Sequence, residues 1–547
     1  MTSVPVPHSW RASVRLFIVA ALAISWFALL GERPLFNPDE GRYAEIPREM
    51  LASGDWLVPH LNNLVYIEKP PLQYWATALS YEIFGVNVWA ARLYTGLSGL
   101  LTVLVTAALA RRLWGGVVAW RAGIMLGASL ALLVMSQQLT LDMSLAFFTT
   151  LTLAGFCIAQ EARTDDARRR RWMWLAWVSA AGAFLTKGLV ALVLPALTLC
   201  AYSLLYRQWR PWRRLSIASG LVLFLVLTLP WCVLMQHHVP QFFDFFFVRE
   251  HFQRFLTKIE ARYEPPWFFI PVLAAGSLPW LLPAGRALAS GWRASTRPPE
   301  FDARRFLWVW CAVVFVFFSL SDSKLIPYIL PLFAPLVLLM ASAPFEQLRR
   351  DLRSTATGVI VTGAILIVAA GFLPRLLHDP VRAPFFVQLR LPLFLMGCLC
   401  LTGGFVARGR VEATAALGIT AYLCVFVLLW SAQVVAPLYS GASLAGQLGP
   451  AMRTNMPVYS VRTYDQTLPF YLQRTMTLVQ TRGELDFGLT LEPGKTLDSL
   501  EAFSTHWRSG GDALAVMDRQ TRALLQSQGL PMVVRAQAPN RFVVSRQ

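Results

Sequence analysis

Charge is scarce in this chain. Only 15% of its 547 residues are charged and 56% are hydrophobic, and the mean hydropathy is +0.49. Soluble domains carry about a quarter charged residues, so a soluble globular protein is excluded. Cysteine is sparse as well: the seven, at positions 157, 200, 232, 311, 398, 400 and 424, all lie in apolar blocks. That placement excludes a framework of structural disulfides and a zinc knuckle. There is no Walker loop, no GxSxG, no HExxH and no dinucleotide fingerprint, which argues against a cytosolic nucleotide donor handled through such a motif. Acidic residues number 31 against 49 Lys and Arg, a net charge of +18. A nucleic-acid partner would need that charge along one soluble face. Here the arginines fall between apolar blocks, where they report membrane topology.

What is present is a series of apolar blocks long enough to cross a bilayer, near 16–30, 72–84 running on through 90–110, 117–135, 143–160, 172–185, 189–206, 215–235, 267–284, 305–320, 326–343, 355–374, 391–407 and 412–435. They predict an α-helical polytopic protein of about 13 transmembrane helices. Leu16 to Leu30 follows Arg11 and Arg15 without a small-x-small cleavage pattern and reads as an uncleaved anchor. Arginine concentrates in alternate loops: 111–112, 168–171, 207–214, 286–305, 349–353 and 408–410. The intervening turns carry at most one Lys each. The positive-inside rule then places the N-terminus in the cytoplasm and the tail outside.

Three outer regions exceed a turn: 31–71, 236–266 and the tail from about 437. The expected division is a membrane catalytic domain over 1–436 and a soluble α/β domain over 437–547. In the tail, strand-like runs such as Val458–Tyr464 alternate with helix-like stretches such as Thr496–Trp507, with turn signals between them. No internal repeat is evident, which weakens a duplicated-transporter reading.

The chemistry-bearing residues gather in the outer segments. Asn37-Pro38-Asp39 is a ready helix N-terminus that would hold Asp39 at a fixed height, with Arg42, Tyr43 and Glu45 about one turn on; Glu40 and Glu45 are read as completing the cap. In Tyr66-Ile67-Glu68-Lys69-Pro70-Pro71 two prolines stiffen the approach, so Glu68 and Lys69 are either aimed or simply snorkelling. A positioned ammonium at headgroup level suits a phosphate. Asp142, at an outer junction with almost no loop, caps the helix from Met143 or meets a cation in a wet cavity. Lys187 and Lys324 are anchors or ligands, and prolines 327 and 331 aim Tyr328. In the second loop, dense aromatics from Phe242 to Phe255 predict a face lying in the membrane interface. Beside them Arg249, Glu250, His251 and Arg254 make a basic head suited to a lipid phosphate. Glu68 and His251 are the only pairing that suggests a divalent metal; no cofactor is otherwise required.

In this order, these words resemble the membrane glycosyltransferases of the GT-C fold. Within that group Asn37–Tyr43, Tyr66–Pro71, Arg249–Phe252 and Ser323–Pro331 are most similar to segments of the lipid A aminoarabinose transferases; Asp142 matches by position. The resemblance implies an inverting, polyprenyl-phosphate-dependent pentosyltransferase. It would move 4-amino-4-deoxy-L-arabinose from undecaprenyl phosphate to lipid A phosphates at the periplasmic face of the bacterial inner membrane, giving polymyxin resistance. It implies catalytic roles for Asp39, Glu68, Lys69 and Asp142, and binding roles for Arg42, Tyr43, Tyr66, Lys187, Arg254, Lys324 and Tyr328. The expected partners are the lipid-linked donor, lipid A and membrane lipid, with the chain as a monomer. A protein or polysaccharide transferase of the same fold is the first alternative. A lipid or sugar transporter is the second, disfavoured because the charges sit at helix ends on one side.

Overall fold

The structure is a computed structural model that describes residues 20–161, 165–253, 264–292, 300–408, 413–449, 456–481 and 483–546. Seven of its helices are long and apolar enough to cross a membrane: Val88–Trp114, Leu141–Gln160, Ile217–His238, Ala303–Leu320, Phe345–Arg375, Ala383–Arg408 and Ala413–Tyr439. An eighth candidate is the pair Gly116–Gly127 and Leu130–Ser136, bent by 61°. Several expected spans take other forms. Ala20–Gly31, Val190–Tyr206 and Ile326–Ala341 are shorter apolar helices, and Asp166–Lys187 carries four arginines in its first turns. The block expected at 267–284 breaks into Phe269–Gly276 and Leu281–Trp292. Pro279, which has no N–H to give a continuing helix, sits in the break.

The two ends of the bundle differ in charge. Arg112 pairs with Glu161 at 2.8 Å, and Arg214 donates to the Gln160 carbonyl. The arginine-rich loops therefore meet at the C-terminal end of helix Leu141–Gln160. Asp142 lies at the other end of that helix, a separation of about 30 Å for 20 residues.

Beyond the Asp142 end lie the first loop and the tail. The loop forms helix Asp39–Ser53 and a small hairpin of β1, His60–Leu61, and β2, Leu64–Val65. Asn37 and Pro38 do precede the helix, but no side chain caps it; Asn37 is turned instead toward the tail. The tail is a six-stranded sheet of β3 Val458–Val461, β4 Thr477–Val479, β5 Thr496–Leu497, β6 Leu514–Asp518, β7 Val533–Ala538 and β8 Arg541–Ser545. Its spatial order is β5-β4-β3-β6-β8-β7. β3 to β6 pair parallel, and β8 runs antiparallel to both β6 and β7.

Tail and loop share one core. Tyr43, Tyr66 and Tyr74 of the membrane part pack in the same apolar cluster as Leu478, Leu485 and Leu489 of the tail. Asn62 exchanges two hydrogen bonds with the Met476 backbone, at 2.8 and 2.7 Å. The tightest approach is at Gly41, where an added Cβ would lie 2.4 Å from the Gln466 carbonyl carbon. Backbone offers no flexible atom to yield. Gly41→Ala is therefore expected to force the helix and tail apart, at a cost of about 1–3 kcal/mol. The measurement is a lower melting midpoint together with easier release of the tail by limited proteolysis.

Candidate active site

The scaffold of the site is a buried ion cluster around Glu40, which completes no cap. The sequence pointed to a cap because acids favour a helix's first turn. The fold instead buries this one, at 1% exposure, beneath two arginines. Arg33 reaches it at 2.6 and 2.9 Å and Arg92 at 2.8 and 3.0 Å; the backbone N–H groups of Phe36 and Leu139 donate at 2.9 Å. Burial alone would raise its pKa, yet the two guanidinium groups hold the Glu40 carboxyl well below the usual carboxylate range. Arg33 also donates to the Gln137 carbonyl, so the cluster ties the first loop to the turn that precedes Asp142.

Glu45 does not complete the cap either. Arg48 grips it through Nε at 2.7 Å, and both side chains are buried. Burial pushes the Glu45 carboxyl up to about 8, with Glu49 adding to the effect and Arg48 opposing it. A carboxyl raised from 4.5 in this way contributes stability in full below its unfolded value and loses it as pH rises through the folded one. The melting midpoint is expected to fall between about pH 5 and 8, and Glu45→Gln to flatten that slope; a flat wild-type profile would rule the effect out.

Around Asp39 the polar groups converge. Asp39 accepts from Arg42, whose other terminal nitrogen donates to Glu484 of the tail. Arg42 is 3% exposed, and its guanidinium carbon lies 5.0 Å from the Tyr43 ring centre and 5.9 Å from that of Tyr66. Burial holds the Tyr43 and Tyr66 phenols well above their ordinary pKa, so both stay neutral. The hydroxyls of Tyr66 and Tyr74 and Nε of Arg42 are buried with no partner among the described residues. Buried polar groups are rarely left so, and three in one cluster mark a place where a polar ligand would be satisfied.

Glu68 and Lys69 adjoin the same cluster, since the fields of both Arg42 and Glu68 reach Tyr43, Tyr66 and Tyr74. Lys69 Nζ is 2.8 Å from Glu250 and 4.0 Å from the Glu68 carboxylate, and it donates to the Glu68 carbonyl at 2.9 Å. It is aimed, then, rather than snorkelling into solvent. Asp142 lies in the first turn of helix Leu141–Gln160, whose N-cap position is Thr140, so it does not cap a helix from Met143. It pairs instead with Lys187, whose ammonium stands 4.4 Å from the Tyr328 ring centre. Lys324 is 4% exposed and donates to the carbonyls of Ser321 and Glu264; it anchors neither in lipid nor in water.

The second loop divides its aromatics between protein and the exposed surface. Asp244–Gln253 is a π-helix, and Phe242, Phe245 and Phe246 are buried. They face protein: Phe242 lies edge-on to Trp231 at 5.3 Å, and Phe245 meets Phe487 of the tail at 4.1 Å. Phe243, in the same run, is 60% exposed. Arg254 and the side chain of His251 lie outside the described residues, and with them the second half of the Glu68–His251 pairing. Among the described residues no three His, Cys, Asp or Glu side chains gather as a metal site would require.

Arg92, Glu484 and Asp465 were not singled out in the sequence. Arg92 sits in an apolar block where a lone charge signals a buried partner, and that signal could have found it. Glu484 and Asp465 look like any surface acid of a soluble domain.

Residues 444–546 match the family described as aminoarabinose transferase C-terminal domain, and residues 15–246 match dolichyl-phosphate-mannose-protein mannosyltransferase. The undecaprenyl phosphate-alpha-4-amino-4-deoxy-L-arabinose arabinosyl transferase of Pseudomonas paraeruginosa is 33% identical over 86% of both chains. That of Pseudomonas aeruginosa is 31% identical over 95% of this chain and 96% of its own. The crystal structure of ArnT from Cupriavidus metallidurans bound to undecaprenyl phosphate superposes with a TM-score of 0.91, 36% identity and 98% coverage of each chain. The archaeal oligosaccharyltransferase AglB of Archaeoglobus fulgidus shares the fold alone, with a TM-score of 0.50 at 12% identity.

Proposed function

The chain belongs to the undecaprenyl phosphate–aminoarabinose arabinosyl transferase family, and from that premise we propose that it moves 4-amino-4-deoxy-L-arabinose from undecaprenyl phosphate to the phosphates of lipid A. The reaction takes place at the periplasmic face of the inner membrane, with the N-terminus cytoplasmic, the tail domain periplasmic and the chain acting as a monomer. The supporting observation is the array of aimed charges at one end of the bundle. Lys69 and Arg42 supply cations, Asp39, Glu68 and Asp142 supply carboxylates, and the tyrosine hydroxyls beside them await polar partners.

In the proposed reaction an acceptor phosphate oxygen attacks the anomeric carbon of the sugar. The bond from that carbon to the undecaprenyl phosphate oxygen breaks, and undecaprenyl phosphate leaves with the electron pair. A single displacement of this kind inverts the anomeric centre. The leaving phosphate needs positive charge where its own charge grows: Lys69 provides it, with Arg254 as the second cation. The acceptor is already an anion, so no base is required. Asp39 and Asp142 are left to hold the sugar ammonium and to support positive charge developing on the ring. Glu68 orients Lys69. Arg42, Tyr43 and Tyr66 line the sugar side, and Lys187, Lys324 and Tyr328 the far wall.

Expression in a Gram-negative host lacking its own transferase tests the reading. It predicts restored polymyxin resistance and aminoarabinose-modified lipid A by mass spectrometry. Unmodified lipid A from a well-expressed, membrane-inserted chain would transfer the reading to a protein or polysaccharide acceptor, for which Asp39 becomes the natural general base.

A further inference from the structure

A doubly wound sheet binds its ligand where the strand order reverses, in the crevice beyond the carboxyl ends of the two strands that flank the reversal. The tail sheet has such a point. From β3 the chain winds outward through β4 to β5, then returns to place β6 on the other side of β3. The crevice between β3 and β6 is not open. Asp465, four residues beyond β3, is 3% exposed and pairs with Arg541, which stands opposite Asp518, the last residue of β6. Into this crevice comes Asn37. Its Nδ2 donates to Asp465 at 2.9 Å, and its Oδ1 accepts from the Thr467 N–H at 3.2 Å. Asp465 also accepts from the N–H groups of Thr467 and Leu468, at 2.9 and 3.1 Å, so its orientation is fixed. Gly41 closes against the Gln466–Thr467 backbone. Gln466 donates at 3.0 Å to Glu484, which lies beyond the carboxyl end of β4 and holds Arg42.

We propose that the tail domain uses the ligand crevice of its doubly wound sheet to grip the segment 37–42, so that Asp465, acting through Asn37, is a positioning residue for the Asp39 carboxylate. The inference rests on the transfer activity proposed above. It gives the tail a task in the chemical step. Asp39 stands between two gripped residues, Asn37 and Gly41, so the tail sheet shares in setting its height over the site with the end of helix Ala413–Tyr439, whose Tyr439 carbonyl accepts from the Asn37 N–H at 2.8 Å, and with Arg92, which holds Glu40. Misplacement of about 1 Å costs on the order of a hundredfold in rate, so a grip of this kind acts on turnover. Lys69 is held separately by Glu250 and the Glu68 carbonyl, so hold on the donor phosphate is spared.

The test uses the full-length purified protein with undecaprenyl-phosphate-linked aminoarabinose and lipid A. Asn37→Ala and Asp465→Asn are compared with Asp518→Ala, which removes the cap that Asp518 gives the helix Arg519–Ser527 but lies outside the grip. Asn37→Ala and Asp465→Asn should each lower kcat about tenfold or more with donor KM changed less than about twofold, and the double variant should be no slower than the slower single one. Amide hydrogen exchange at residues 37–42 should quicken in both, and in neither respect should Asp518→Ala follow. Unchanged kcat in Asn37→Ala despite quickened exchange would overturn the proposal. So would a fall in kcat that merely tracks melting temperature across all three variants. A wild-type protein that transfers no sugar would instead count against the activity on which the proposal rests.

Discussion

Lys69→Ala is expected to lose about a hundred- to a thousandfold in turnover, the effect of removing one preorganised group that meets charge as it develops. Its ammonium is set by Glu250 at 2.8 Å and by the Glu68 carbonyl at 2.9 Å, so the side chain reaches the site already oriented and little ordering remains to be done on binding. Lys69→Arg should recover only part of the rate. The planar guanidinium carries the charge but cannot occupy the compact position between those two acceptors. The measurement is release of undecaprenyl phosphate by the purified variants at saturating donor. A Lys69→Ala enzyme within about threefold of wild type would remove Lys69 from the mechanism.

Glu40→Ala is expected to cost about 3–5 kcal/mol of stability, the range for breaking a buried ion pair by removing one partner. The effect is large because six donor contacts converge on this carboxylate, and its loss leaves two buried guanidinium groups facing one another. Glu40→Gln should rescue little, since its amide nitrogen would point N–H groups at other N–H groups. The variant should express poorly or melt far below wild type, and the Asp142 turn held through Gln137 and Leu139 should loosen with it. A Glu40→Ala protein that melts within a few degrees of wild type would mean that the cluster contributes little.

The membrane character and the concentration of chemistry at one end were legible because both are written in local patterns. Apolar block length and alternating arginine loops need no knowledge of what touches what. The segments around Asp39, Glu68-Lys69 and Asp142 stood out because charges at helix ends in an apolar chain are costly and therefore informative. What escaped were the partners. The helix start places Asp39 near Arg42, but it cannot show that Arg42 is shared with Glu484, which lies 445 positions from Asp39 in a tail with the look of an ordinary soluble module. The aromatics at 242–247 satisfied an interfacial pattern as well as a core pattern. The tertiary positions of Trp231 and Phe487 draw Phe242 and Phe245 into the core, while Phe243 stays exposed. Glu40 and Glu45 carried a cap signature that was real as composition and was overridden by burial. Of the two readings of Asp142, a cap or a carboxylate that meets a cation, the second holds: it pairs with Lys187 one position inside the helix.

Aminoarabinose transfer to lipid A through Lys69 and Asp39 is tested most directly by one reconstitution. The purified chain in proteoliposomes, given undecaprenyl-phosphate-linked aminoarabinose and lipid A, is predicted to yield lipid A heavier by one aminoarabinose residue on a phosphate, with one undecaprenyl phosphate released per sugar moved. The Lys69→Ala and Asp39→Ala proteins, equally well inserted, should yield neither product. Sugar transfer that persists undiminished in those two variants, or a wild-type protein that leaves both donor and lipid A untouched, would contradict it.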